Sequence, residues 1–195
     1  MLDRPTAYRT FIAIEIPAEI RFRVIQHIQQ LRETVPDARA SWSREDNLHL
    51  TLKFLGNTAV ENIAKVSQAV GVAAGRARPF ELVLSGCGAF PARGKPNVLW
   101  IGIQDPSSNL TALYDEIEKE CAAIGFKKEA RAFHPHLTIA RLRNSHSGSR
   151  LAEAHQHIPF NPQAFIVSEV TVFRSELLKQ GSRHTALSHH AVRSS

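Results

Sequence analysis

The strongest constraint on this chain is an internal echo. Residues His49-Leu50-Thr51-Leu52-Lys53-Phe54-Leu55-Gly56 are answered 87 residues later by His136-Leu137-Thr138-Ile139-Ala140-Arg141-Leu142-Arg143. Each octapeptide opens with the period-two alternation of a strand. His49 and Thr51 therefore share one face, with Leu50 and Leu52 behind them, and His136 and Thr138 stand likewise against Leu137 and Ile139. A lone His-x-Thr on a strand is an ordinary solvent-facing polar pair. Two matched copies, each in its own half of the chain, are hard to explain as packing. Pseudo-symmetry would set the two strands side by side with both histidines facing one cleft.

Other elements follow from periodicity and punctuation. Strands are expected at Tyr8 to Ile16, Phe80 to Cys87, Val98 to Ile103, Phe133 to Arg141, Phe165 to Ser168 and Val170 to Ser175, with a short one around Thr185 to Leu187. Ile20, Val24, Ile28, Leu31 and Val35 recur at helical spacing ahead of Pro36, and Leu110, Leu113, Ile117, Cys121 and Ile124 do so ahead of Gly125. Thr58-Ala59-Val60-Glu61 reads as a capping box for a helix running to about Arg76. The polar stretch Arg143 to Ser149 reads as a mobile loop, and residues His189 to Ser195 as a frayed end. Strands and helices mix without regular βαβ alternation, so the fold class is α+β. The 195 residues suit one bilobal domain sharing a core.

Composition narrows the setting. Hydrophobic residues at 43% and charged residues at 22% are those of a globular chain, which excludes a disordered or fibrous one. The apolar run Phe11-Ile12-Ala13-Ile14 stops at Glu15, too short for a signal core or a membrane span, so a cytoplasmic protein is expected. Cys87 and Cys121 fit that compartment as buried thiols without a chemical role. The net charge of +6 favours an anionic partner such as nucleic acid, although a solvated basic face would give the same number.

The paired motifs, their spacing and their flanking strands resemble the 2H phosphoesterase superfamily, and within it the RNA 2′,3′-cyclic phosphodiesterases once called 2′-5′ RNA ligases. The likeness extends to Arg9-Thr10-Phe11-Ile12-Ala13-Ile14, Asn97 to Gly102, and Val172 to Leu177. It implies two similar lobes of mostly antiparallel sheet with outer helices around a central cleft. It also implies hydrolysis of RNA 2′,3′-cyclic phosphate ends to 2′-phosphates, with His49 as proton donor and His136 as proton acceptor. Histidine, with an ordinary pKa of about 6.5, serves as acid or base near neutrality. Thr51 and Thr138 can donate hydrogen bonds to the non-bridging phosphate oxygens. Arg141 matches a phosphate-holding arginine of the family, yet strict alternation puts it opposite His136 unless the strand bulges. The family often carries a tyrosine where this chain has His184.

Other residues admit plainer readings. Lys53 shares the face of His49 by alternation and is placed at the rim of the site or in solvent. Trp100, amid Val98, Leu99, Ile101 and Ile103, is assigned to the core, while Trp42 or Trp100 could stack on a base. Arg93 and Lys95, in the loop from Phe90 to Pro96, are backbone-contact candidates for RNA. His155 and His157 read as surface residues of a short helix. His134-Pro135-His136 is too tight to chelate, and no Cys or His cluster has structural-zinc spacing, so neither a metal nor a cofactor is expected. A monomer acting on RNA or a cyclic nucleotide, without a membrane partner, is the resulting expectation. The reverse ligation and a non-catalytic RNA-binding module are the alternatives.

Overall fold

A computed structural model describes residues 6–143, 146–178 and 181–192. Along the chain run β1 (Ala7–Glu15), α1 (Ala18–Thr34), β2 (Ala40–Trp42), β3 (His49–Ala59), α2 (Ile63–Gly75), β4 (Phe80–Phe90), β5 (Val98–Gln104), α3 (Asn109–Ala123), β6 (His136–Leu142), α4 (His146–His157), β7 (Gln163–Val167), β8 (Glu169–Leu178) and β9 (Gly181–Ala191). The strands form two antiparallel sheets, ordered β3-β1-β8-β9 and β2-β6-β5-β4-β7. The two motif strands thus belong to different sheets, and β3 meets β6 where the sheets adjoin. This is the α+β, two-lobed arrangement expected.

The helices close the outer faces. α2 packs on β8 and β9 and against α3, while α1 lies beside α4, which rests on β4. One buried cluster takes Ile12, Ile14, Leu50 and Val172 from the first sheet and Leu82, Leu99, Ile101 and Leu137 from the second. Each such side chain contributes about 1.5–3 kcal/mol by leaving water. The aliphatics behind each motif are therefore what hold its histidine strand in place.

Several boundaries differ from the sequence reading. Thr58 does not cap α2, because β3 runs on through Ala59 in register with Ala7 of β1. Its hydroxyl instead meets that of Thr10 at 2.6 Å, both residues being buried. α3 is capped by Asp105, whose carboxylate accepts from the backbone N–H of Leu110 and of Thr111. α4 begins at His146, inside the stretch assigned to a loop; residues 144–145 of that stretch lie outside the described residues. Residues His189 to Ala191 are not frayed: they complete β9 against Glu169 to Thr171, and buried Val192 donates its N–H to Ser168. Residues 193–195 lie outside the described residues. β2, at three residues, is too short to leave a periodic trace. Cys121 is buried as expected, whereas Cys87 is only half-buried.

Candidate active site

A shared irregularity governs both motifs. In β3, Thr51 pairs with Ala13 and Lys53 with Ile12, so Leu52 is an extra residue. In β6, Thr138 pairs with Trp100 and Ala140 with Leu99, so Ile139 is extra. Each bulge falls on the third residue after the histidine. An inserted residue reverses the facing of everything beyond it. Lys53 and Ala140 consequently turn inward and are buried, while Phe54 and Arg141 turn to the histidine face and are exposed. The bulge is what Arg141 needs to share a face with His136. Among the described residues Arg141 has no ion-pair partner, so the expected alternative of a surface ion pair is not what the structure presents.

The same bulge overturns both readings of Lys53. Its side chain is 4% exposed, and its ammonium donates to the Glu118 carboxylate at 2.7 Å and to the Lys127 carbonyl at 2.8 Å. It ties β3 to α3 and takes no part in the cleft.

His49 stands in an aromatic enclosure. Its ring lies 4.8 Å from Phe11, 6.1 Å from Phe173 and 5.1 Å from His184, measured between centroids. Phe11 and Phe173 are register partners on β1 and β8, so the walls come from the centre of the first sheet. Burial holds His49 down at about 4, with His184 adding to the effect and the Asn47 backbone pulling weakly upward. His184 is itself lowered by burial, and its Nδ1 is buried with no hydrogen-bond partner among the described residues. Neighbouring charge that favours an imidazolium, such as a phosphate, would act directly on this pair.

His136 has a different setting. Its Nδ1 donates to the carbonyl of His134 at 2.6 Å, which leaves the Nε2 lone pair free to accept a proton. The interacting carbonyl is two residues back, as Asn47 is from His49. Phe90 meets the His136 ring edge-on at 5.0 Å, and Trp100 lies at 6.5 Å. The Trp100 indole covers Gly88, its partner on β4, where a Cβ would come within 2.2 Å of the ring. Only glycine fits there. Trp100 therefore belongs to the histidine face, with its Nε1 unpartnered among the described residues, and Trp42 is the tryptophan that packs against the core. The core role expected of Trp100 rested on its apolar neighbours Val98, Leu99, Ile101 and Ile103, and the structure does not bear it out. Thr51 and Thr138 are half-buried, pointing with their histidines, and their hydroxyls have no hydrogen-bond partner among the described residues.

Comparison with known proteins bears on this geometry. The model of the 2′-5′ RNA ligase superfamily matches residues 19–177. This chain belongs to that superfamily. An Escherichia coli member named RNA 2′,3′-cyclic phosphodiesterase is 30% identical, over 94% of this chain and 96% of its own. One from Methanothermobacter thermautotrophicus with the same name is 29% identical over 91% and 95%. A Geobacillus stearothermophilus protein of that name is 28% identical, but the match spans 52% of its length. The E. coli LigT crystal structure in apo form superposes with a TM-score of 0.76 at 30% identity, covering 97% of this chain and all of that one.

Within the superfamily member described here, the sequence reading missed the walls rather than the motifs. Phe11 and Phe173 sit in apolar runs that look like core, and Phe90, expected in a loop, is the last residue of β4; only the pairing of β1, β4 and β8 turns the three to the histidines. A hollow of about 750 Å³ between the start of α1 and β7 holds none of the motif residues. His155 is fully buried rather than at the surface, while His157 is exposed as expected.

Proposed function

We propose that this chain hydrolyses the 2′,3′-cyclic phosphate at an RNA end to a 2′-phosphate, with His49 as proton donor, His136 as proton acceptor and no metal in the reaction. The observation that carries the reading is the duplicated His-x-Thr with its duplicated bulge, which sets an imidazole and a hydroxyl on one face of each of two adjoining strands. His136, with Nε2 free, takes a proton from water as its oxygen bonds to phosphorus. The bond from phosphorus to the 3′ oxygen breaks, and His49 protonates that oxygen, leaving the phosphate on the 2′ oxygen. Thr51, Thr138 and Arg141 hold the non-bridging oxygens, where negative charge gathers.

The names carried by the relatives support the substrate class. A net charge of +6 draws RNA, and exposed Arg93 and Lys95 follow Phe90 at the edge of the His136 site. Trp100 and Phe90 offer rings on which a terminal base can stack. No described helix is long and apolar enough to cross a membrane. Ligation through a 2′-5′ linkage is the same step reversed and needs no other group.

The deciding experiment is digestion of an oligonucleotide ending in a 2′,3′-cyclic phosphate, with the product isomers resolved by phosphorus NMR. A 2′-phosphate is expected. A 3′-phosphate would exchange the roles of His49 and His136, and no turnover would leave a binding module.

A further inference from the structure

On the second sheet lies a cluster that the proposed reaction does not use. His27 of α1, Cys87 of β4 and His155 of α4 each place a ligand atom within 4.8 Å of the others. We infer that these three side chains form a binding site for one thiophilic divalent cation of the zinc type, joining α1 and α4 to β4.

The distances are those a coordination set needs, and the shorter one is held without an ion by a hydrogen bond from His27 Nε2 to His155 Nδ1. His27 Nε2 and His155 Nδ1 are 3.1 Å apart, and Cys87 Sγ is 3.9 Å from His27 Nε2. Bond lengths of about 2.0 Å to nitrogen and about 2.3 Å to sulfur in a tetrahedral shell require separations of about 3.3 Å and about 3.5 Å. Both gaps are within about 0.4 Å of those values, and rotation of the Cys87 side chain brings in the third atom.

The surroundings are arranged as a metal site needs. His155 Nε2 donates to the Trp100 carbonyl at 2.9 Å, which fixes the tautomer and turns the Nδ1 lone pair toward His27. Both histidines are buried, whereas Cys87 is half-buried and gives the ion a way in. Two imidazoles and a thiolate suit zinc or cobalt and exclude magnesium and calcium, which take oxygen. On binding, Cys87 releases its thiol proton to solvent, and His27 shifts its proton from Nε2 to Nδ1. The fourth position is left to water or to the Ile158 carbonyl, 3.7 Å from Cys87 Sγ.

The site holds structure rather than chemistry, so its test is spectroscopic and independent of turnover. The full-length, tag-free protein, stripped with EDTA, would be titrated with Co²⁺. One equivalent should produce a thiolate-to-cobalt charge-transfer band in the near ultraviolet, which Zn²⁺ abolishes by displacement. Zn²⁺ should also raise Tm by several degrees. Cys87→Ser should lose both the band and the Tm rise, and His155→Gln should weaken cobalt binding by at least tenfold. Should His155→Gln fail to fold, Cys87→Ser alone decides, since its partly exposed position tolerates an isosteric change. Absence of the band in the parent protein, or its persistence in Cys87→Ser, overturns the proposal.

Discussion

The strands β3 and β6 begin as near copies and end as different tools. Both carry histidine, an aliphatic, threonine and a bulged aliphatic. The next inward residue is Lys53 in one, locked to Glu118, and Ala140 in the other. The next outward residue is exposed Phe54 in one and Arg141 in the other. Duplication supplies the frame, and the two positions past the bulge make one strand a bracket to α3 and the other a cationic surface. The histidines diverge with them. His49 is enclosed by Phe11, Phe173 and His184, whereas His136 has its tautomer set by a carbonyl and its Nε2 left free.

The comparison breaks most visibly if either histidine proves dispensable. His49→Ala and His136→Ala should each lower kcat by at least about 10²-fold with unchanged circular dichroism, and metal-free enzyme should keep its turnover. Full activity in either variant would dissolve the pairing.

The inward positions differ next. Lys53→Met strands the Glu118 carboxylate in the interior and should destabilise the fold by about 3–5 kcal/mol in urea titration. Lys53→Met combined with Glu118→Leu should recover most of that. A harmless single variant would mean that the ion pair does not brace β3.

The outward positions come third. Arg141→Ala should raise KM for a cyclic-phosphate substrate about tenfold, the worth of one charge-assisted hydrogen bond, with a smaller effect on kcat. Phe54→Ala should change KM less than threefold. Equal effects would show that the bulges do not distinguish the strands.

The smallest effect is in pH. His49, held at about 4, resists protonation, so the doubly protonated pair forms only near that pH, and kcat/KM should persist down to about pH 4 before falling. His184→Phe removes one of the causes and should move that limb upward by a fraction of a unit. A limb already near neutrality in the parent would contradict the enclosure. The sign for stability is opposite to that of a paired histidine. His49 and His27 both have folded values near 4, below their unfolded value, so their contribution is complete above about pH 6.5 and is lost as pH falls toward 4. Tm should decline across that window.

The motifs were legible because alternation and duplication are written in residue order. So were α1 and α3, whose apolar stripes end at Val35 and Gly125. The bulges were not, since neither Leu52 nor Ile139 differs from an ordinary strand residue. Missing them sent Lys53 outward and left Arg141 on the wrong face. Thr58 has the chemistry of a cap, but pairing with β1 claims its backbone first. Trp42 and Trp100 are told apart by Gly88, a residue distant in sequence. His155 sits near the end of a polar helix and is buried because α1 covers it, a fact that no local pattern contains.

The order β3-β1-β8-β9 also has a consequence for how the protein is made. β1 is flanked by a strand near in sequence and by one reached only after residue 168, since Ile12 pairs with both Lys53 and Val172. During synthesis the first sheet stands open along one edge of β1 until β8 emerges, and a contact of such long range is slow to close. The enclosure of His49 therefore forms last. A nascent or truncated chain lacking β8 and β9 carries the first motif with Phe173 and His184 absent. Competence for catalysis should thus arrive in one step with the C-terminal hairpin, well after both histidines have left the ribosome.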